Sequence, residues 1–210
     1  MIASVLAGVI ASIASFGTAP RAYAQNLVQN PGFEASVDSG QGTADTTPDW
    51  MLGGGGGTLF STSPAGEGPS GPNSGSWYAA FSATSASQAT TSTLTQTITT
   101  TPNTTYVVSF FLANEGGPHN TFLATFGGQT VLSLTDSNAF GYRQYSATIV
   151  ATSRSSVLAF TGEQDPSAFG LDDVSVEAES APAPVTGGGI ASVCVLIAAL
   201  YVQRVRRRKV

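Results

Sequence analysis

Three carboxylates flank the central part of the sequence. Glu34 ends the segment NLVQNPGFE, and Asp172 and Asp173 stand together in GLDDVSV near the other end. Carboxylate oxygens and backbone carbonyls form hard oxygen sites, which suit calcium better than zinc. If the first and last strands of the fold run side by side, these carboxylates meet. Strand alternation would then turn only one Asp towards Glu34, with Asp173 favoured over Asp172.

Two other interpretations of these carboxylates stay open. The Asp pair could make backbone hydrogen bonds at a strand end, or the carboxylates could form the acid–base pair of a glycosidase. The second is disfavoured, because such pairs lie in a cleft that grips substrate, whereas these residues have apolar neighbours in terminal strands. The only histidine, His119, lies in the polar turn GGPHN, and no nucleophile elbow is present. We therefore predict that the protein is not an enzyme.

Aromatic rings are the candidates for contact with a ligand. Sugar recognition needs flat rings on an accessible surface, with amides and carboxylates nearby. A glycine-rich stretch separates Trp50 from Trp77 and Tyr78 and could bring these rings together, while Tyr142 and Tyr145 lie further along the chain. For any single ring, a place in the core of the sandwich is favoured over a place in a ligand site. Polar contacts could come from Asn114, Glu115, Asn120, Gln144 and Gln164, among which the sequence does not choose.

Alternating apolar and polar residues predict β-strands throughout the central part. The strongest pattern is Thr104–Asn114, and Gly127-Gly128 and Pro102-Asn103 mark turns. Asp38–Pro48 and Gly53–Gly75 are predicted to be loops. The other predicted strands are Ser76–Ala83, Ser92–Thr100, Asn120–Phe126, Gln129–Leu134, Tyr142–Ala151, Ser155–Gly162 and Phe169–Glu177. Because both faces of Thr104–Asn114 need burial, we predict an all-β fold, an antiparallel β-sandwich.

Both ends of the chain are typical of an exported protein. Residues 1–24 predict a signal peptide that ends in Ala22-Tyr23-Ala24, and 25–178 is the predicted sandwich. Residues 179–189 predict a linker, 190–203 the core of one C-terminal transmembrane helix, and 204–210 a basic cytoplasmic tail. The only cysteine, Cys194, lies in the apolar segment, so no disulfide can form within the chain. We expect the chain to be anchored in the inner membrane by this helix.

The central part is strongly acidic. All 13 acidic residues lie between Glu34 and Glu179, but only two basic residues do, Arg143 and Arg154, which gives a net charge of −11. Phosphate binding requires clustered Lys and Arg, so nucleic acid is excluded as a partner. Divalent cations remain compatible with this charge.

The end phrases and the centre of this region carry a resemblance to a known group. Asn26–Glu34, NLVQNPGFE, resembles the first strand of galactose-binding-like jelly rolls, and GLDDVSV resembles their closing strand. The stretch SQATTSTLTQTITTTPNTTYVVSFFLAN resembles the centre of the same group. This group includes carbohydrate-binding modules of xylanases and glucanases. In the resembling modules, the Glu and one Asp of the pair bind a structural calcium, which implies the same for Glu34 and for Asp172 or Asp173.

The C-terminal segment resembles the PEP-CTERM sorting signal, which exosortases recognise in bacteria that make exopolysaccharide. Pro182 and Pro184 stand before the apolar run, and Arg206, Arg207 and Arg208 follow it. The Ala-Pro-Ala-Pro motif departs from the usual Pro-Glu-Pro. The resemblance implies an exosortase-like sorting peptidase as a partner, with possible cleavage to the cell surface or extracellular matrix.

Together these features predict an exported, tail-anchored, non-catalytic protein of the envelope or biofilm matrix. The leading expectation is binding of extracellular or cell-surface polysaccharide. The alternative is a structural envelope or matrix protein without a defined sugar site.

Overall fold

The computed structural model describes one compact unit, which falls within Tyr23–Glu179. The ranges described are 25–37, 43–44, 47–54, 57–61, 71–82, 91–165 and 167–179. The predicted leader, membrane segment, sorting motif and basic tail lie outside them. Within these ranges, no helix is long and apolar enough to cross a membrane.

Antiparallel strands make up the unit. Those in the described ranges are β1 (Thr43–Ala44), β2 (Met51–Gly54), β3 (Gly57–Ser61), β4 (Tyr78–Ser82), β5 (Ser92–Thr99), β6 (Thr105–Asn114), β7 (Thr121–Phe126), β8 (Gln129–Thr135), β9 (Phe140–Val150), β10 (Ser155–Glu163) and β11 (Ala168–Ala178). They form a six-stranded sheet, β1-β3-β4-β11-β6-β9, and a five-stranded sheet, β2-β5-β10-β7-β8. The prediction of an all-β protein with two antiparallel sheets is confirmed.

Strand alternation located most of these elements. β4 to β11 coincide with eight predicted strands, with ends that differ by two residues at most. The turn at Gly127 and Gly128 is confirmed, and both residues have a positive φ, 57° and 79°, as a tight two-residue hairpin requires. Asn103 also has a positive φ, 62°, in the predicted turn before β6.

The glycine-rich stretches are less loop-like than predicted. β1 lies in the predicted loop Asp38–Pro48, and β3 and the end of β2 lie in the predicted loop Gly53–Gly75. The low strand propensity of glycine is overridden by tertiary pairing, because β2 pairs with β5 and β3 pairs with β4. This pairing satisfies backbone groups that a loop would leave to water.

The predicted first strand, Asn26–Glu34, is wrong. Asn30 and Phe33 have φ values of 49° and 62°, which break an extended path. The segment nevertheless runs along β11, where the Leu27 N–H donates to the Val176 carbonyl at 2.9 Å. The Asn26 side chain replaces strand pairing: it donates to the Val174 carbonyl and accepts from the Val176 N–H, each at 3.0 Å.

The core between the sheets consists mainly of phenylalanine rings. Phe160 packs edge-on against Phe110 at 5.1 Å between centroids, and Phe122 packs edge-on against Phe81 at 5.5 Å. Such edge-to-face contacts add to the free energy gained from burial. Both sheets and this core are complete within 25–179, so we expect this unit to fold when it is produced alone.

One close approach between the sheets depends on a glycine. A Cβ placed on Gly162 of β10 would lie 2.9 Å from the Cβ and 3.0 Å from the Cδ1 of Phe81 on β4. Gly162→Val should therefore cost about 1–3 kcal/mol of unfolding free energy by overpacking. Thermal unfolding followed by circular dichroism should show a melting temperature roughly 3–10 °C lower.

Gly141→Val is the matched control. A Cβ at Gly141 of β9 meets no atom within 4 Å, so this variant should melt close to the wild type. Equal melting temperatures for the two variants would contradict this view of the sheet contact.

Candidate functional site

The predicted carboxylates hold one turn of the backbone, which precedes β4. Oδ2 of Asp172 accepts the N–H groups of Asn73 at 2.8 Å and Ser74 at 3.1 Å. Oε1 of Glu34 accepts the N–H groups of Ser76 at 2.9 Å and Trp77 at 3.0 Å. We call Gly71–Trp77 the anchored turn, because hydrogen bonds to two carboxylates fix its path.

Asp173 contacts the same turn, contrary to the alternation argument. Its Oδ2 accepts from the Asn73 side-chain amide and its Oδ1 from the Ser74 hydroxyl, both at 2.7 Å. The reason is a bulge: the pairing of β11 with β6 shifts between Asp172 and Ser175, and Asp173 has a φ of 50°. A bulge adds a residue to one strand and re-aims its side chains, so both aspartates reach the anchored turn.

Burial makes Asp172 electrostatically unusual. Its side chain is fully buried, and burial raises the pKa of its carboxyl group to about 7, with a further contribution from the charge of Asp173. Backbone N–H groups of Ser74, Asp173 and Asn73 act in the opposite direction by stabilising the ionised form. A cation beside this carboxylate would favour the same form.

The chemistry of these residues fits a hard cation in part. Gly32 lies between the three carboxylate side chains. A Cβ placed on Gly32 would lie 3.6 Å from Oδ1 of Asp172, 3.6 Å from Oδ1 of Asp173 and 3.8 Å from Cγ of Glu34. The three carboxylates supply the hard oxygen ligands that calcium prefers. Among the described residues, however, no three His, Cys, Asp or Glu side chains are grouped closely enough to hold a metal. A calcium ion would therefore also need backbone carbonyls.

A surface cleft of about 440 Å³ lies beside the anchored turn. It is lined by Gly71, Pro72, Ala113, Asn114, Glu115, Ala139, Phe140, Gly141 and Tyr142. Of the rings predicted to bind ligand, Tyr142 is the one in this cleft; Phe140 was not predicted. Burial raises the pKa of Glu115, although the carboxylate remains largely exposed. The cleft thus combines two aromatic rings with one carboxylate.

Tyr142 connects the cleft to the carboxylates. Its ring is partly exposed, while its hydroxyl is buried and has no hydrogen-bond partner in the described part of the chain. Burial raises the pKa of this hydroxyl, and the negative charges of Asp172 and Asp173 and the neighbouring Tyr78 raise it further. The buried end of the side chain therefore lies near the site that holds the anchored turn.

One buried amide, that of Asn114, lines the cleft and belongs to a hydrogen-bond network with two other buried amides. Asn114 donates to the carbonyl and hydroxyl of Ser137 and accepts from the Gly116 N–H at 2.9 Å. Gln164 donates to Asn114 and to the Gly116 carbonyl, and Asn120 also binds Ser137. These three amides are buried and position loops, so of the five predicted polar groups only Glu115 and Gln144 are exposed.

Three other candidate rings lie in the interior, as favoured for each single ring, and so do not form an exposed sugar platform. Trp50, Trp77 and Tyr78 are only 7%, 8% and 0% exposed. Trp50 packs against Phe33 at 5.4 Å, and its Nε1–H donates to the Asn30 carbonyl at 3.0 Å. Trp50 also borders a smaller depression of about 270 Å³, but very little of its ring is accessible there. The faces of Trp50, Trp77 and Tyr78 are therefore unavailable for stacking on a sugar.

The sequence matches no protein-family model and no curated protein. Solved structures share its fold. A Stig cyclase from Fischerella sp. TAU, in complex with an indole derivative, is 18% identical over 76% of this chain and 99% of that chain, with a TM-score of 0.56. The carbohydrate-binding module TmCBM61, in complex with β-1,4-galactotriose, is 15% identical over 74% of this chain and 99% of that chain, with a TM-score of 0.53.

The enzymatically active domain of tailspike protein 4 from bacteriophage CBA120 is also similar. It is 15% identical over 73% of this chain, but only 21% of that chain takes part, with a TM-score of 0.51. At these identities the similarity concerns the fold alone. A β-sandwich of this kind occurs in binding modules and in proteins named as enzymes, so the site must decide the function.

The two aspartates should respond differently to amide substitution. In Asp172→Asn an NH₂ group faces backbone N–H donors that cannot turn away, which should cost about 1–3 kcal/mol of unfolding free energy. In Asp173→Asn the partners are the Asn73 amide and the Ser74 hydroxyl, which can reverse their roles. Chemical denaturation in the presence of chelator should therefore show a loss for Asp172→Asn and little change for Asp173→Asn.

An equal effect of the two substitutions would contradict the role given to Asp172. The comparison is matched, because the residues are neighbours and both undergo the same change from Asp to Asn.

Proposed function

We propose that this chain is an exported, tail-anchored, non-catalytic surface protein whose β-sandwich binds extracellular or cell-surface polysaccharide. The observation that carries the proposal is the cleft beside the anchored turn. Tyr142 and Phe140 supply the aromatic surface that sugar rings favour, and Glu115 supplies an acceptor for hydroxyl groups. The shared fold of a module that holds a galactotriose supports the same assignment.

The composition of the cleft supports binding without catalysis. Hydrolysis of a glycosidic bond generally uses two carboxylates on either side of the bond. Of the described residues that line the cleft, Glu115 is the only carboxylate. Asp172 and Glu34 accept backbone N–H groups of the anchored turn, and neither residue lines the cleft.

Support for export and anchoring comes from the sequence. The small-residue site before Gln25, the apolar segment and Arg206–Arg208 follow the order of a leader, a membrane helix and a cytoplasmic tail. The proposal places the unit outside the inner membrane, with Pro182 and Pro184 in a segment that an exosortase-like peptidase would process.

The proposal includes a structural calcium ion held by Glu34 and by Asp172 or Asp173, together with backbone carbonyl oxygens. When bound, the ion would neutralise carboxylates that are crowded around Gly32 and strengthen the hold on the anchored turn. Binding to the folded state alone raises stability, by about 2.7 kcal/mol at a hundredfold excess over Kd. The melting temperature of the unit should therefore be several degrees higher in saturating calcium than in saturating chelator.

Glu34→Gln keeps an acceptor for the Ser76 and Trp77 N–H groups but removes the charge, so the response to calcium should shrink. Glu115→Gln, which removes a carboxylate from the cleft, is the control and should respond like the wild type. Identical melting temperatures in calcium and in chelator would eliminate the ion from the proposal.

Tyr142→Ala should weaken polysaccharide binding at least about tenfold, which corresponds to roughly 1.4 kcal/mol. A glycan array and pull-down on insoluble polysaccharides, using residues 25–179, measure this loss. Gln144→Ala is the control, because Gln144 is an exposed residue of β9 outside the cleft lining. Circular dichroism checks that each variant is folded. Trp50→Ala and Trp77→Ala should instead lower the melting temperature, since both rings lie in the core.

Undiminished binding by Tyr142→Ala would remove the cleft as the site. Absence of binding to every polysaccharide would favour the alternative function, a structural envelope or matrix protein without a defined sugar site.

A further inference from the structure

The cleft beside the anchored turn is negative in its lining and in its surroundings. Of the described residues that line it, Glu115 is the only charged one. Asp172 and Asp173 are close enough for their negative charges to raise the pKa of the Tyr142 hydroxyl. The part of the chain from Glu34 to Glu179 carries a net charge of −11. A concave surface lined by charge of one sign concentrates ions of the opposite sign, so the cleft attracts cations.

The backbone at the start of β11 fixes the position of Glu115. Its N–H donates to the Ala168 carbonyl at 3.2 Å, and a hydrogen bond with the backbone of Ala168 stabilises its ionised carboxylate. Partial burial has the larger effect and raises the pKa of this carboxyl group. The protein therefore compensates the negative charge of Glu115 incompletely, and a cation in the cleft would supply further stabilisation.

The aromatic lining is also suited to a cation. The guanidinium of Arg143 lies 5.0 Å from the centroid of the Phe140 ring, within the range of cation–π contacts. Tyr142 presents part of a second ring to the cleft. Because the faces of phenylalanine and tyrosine rings attract ammonium groups in the same way, the cleft offers a cationic ligand both a carboxylate and aromatic surface.

An anionic ligand has no matching group in this lining. In the ranges that the structure describes, Arg143 and Arg154 are the only Arg and Lys side chains. Arg154 lies beyond the far end of β9, about 30 Å along the strand from the cleft. Arg143 pairs with the buried Leu112, so strand alternation turns it to the opposite side of β9 from Tyr142. A uronate or a sulfated sugar would therefore face Glu115 without a cation in the lining.

We infer that the cleft selects a polysaccharide with free amino groups, a hexosaminan, over neutral and acidic polysaccharides. The inference rests on the proposed function, which assigns sugar binding to this cleft. A protonated amine of the ligand pairs with Glu115, while the sugar ring packs on the aromatic lining. A hexosaminan carries an amine on each sugar, so an amine reaches Glu115 in any register of the bound chain. N-acetylation removes the positive charge, and a carboxylate or sulfate reverses it.

Oligosaccharides of β-1,4-linked glucosamine and their N-acetylated forms test the inference, because the two probes share a backbone and differ in charge. By isothermal titration, residues 25–179 should bind the free amine about fivefold or more tightly than the acetylated form. High salt should narrow this difference, since it screens exposed ion pairs. A glycan array of amino, neutral and acidic sugars extends the comparison to other linkages.

Glu115→Gln should weaken binding of the glucosamine oligosaccharide about fivefold and leave the weaker binding of the acetylated form unchanged. Glu179→Gln is the matched control, since Glu179 is exposed and its N–H binds the carbonyl of Thr105, at the end of β6 remote from the cleft. This control removes the same charge and should bind like the wild type. Circular dichroism checks that both variants are folded.

Neutral or acidic sugars bound at least as tightly as amino sugars, with binding still reduced in Tyr142→Ala, would overturn the inference and leave the proposed function standing. Equal losses in Glu115→Gln and Glu179→Gln would assign the preference to net charge and also overturn it. A loss in Arg143→Gln without one in Glu115→Gln would indicate an anionic sugar instead. Absence of binding to every sugar on the array would overturn the proposed function as well.

Discussion

Backbone N–H groups that find carboxylate acceptors hold the candidate site together. The anchored turn, Gly71–Trp77, has no regular pairing of its own, and its amide groups would otherwise need water. Glu34 and Asp172 come from opposite ends of the unit and accept four of these groups. Charge-assisted hydrogen bonds of this kind are stronger than neutral ones, so the turn is fixed. Gly71 and Pro72 in this turn then form one wall of the cleft.

The aromatic residues fall into two groups, those in the interior and those at the cleft. Seven phenylalanines and both tryptophans fill the interior, where their large surfaces contribute most to stability. That leaves the edge of the six-stranded sheet, where Phe140 and Tyr142 begin β9, to present rings at the cleft. Under the proposed function, stability and sugar binding would thus depend largely on different rings.

The sequence predicted the strands better than the site. Alternation located β4 to β11, because burial on one side of a strand imposes a period of two. It failed where glycine left no pattern, in β2 and β3, and at Asp173, where a bulge breaks the period. The burial of Trp50 and Trp77 depends on contacts between distant segments, which composition does not encode. A signal for the anchored turn was present in Pro72-Asn73-Ser74-Gly75, a turn-forming run.

Both ends of the described unit lie far from the cleft. Leu27 lies beside Val176, and the N–H of Glu179 binds the carbonyl of Thr105 at the first residue of β6. The cleft contains Asn114, the last residue of β6, about 30 Å away along an extended strand. A tether joined to either end of the unit would therefore attach at the end of β6 opposite the cleft, and so would leave the cleft unobstructed.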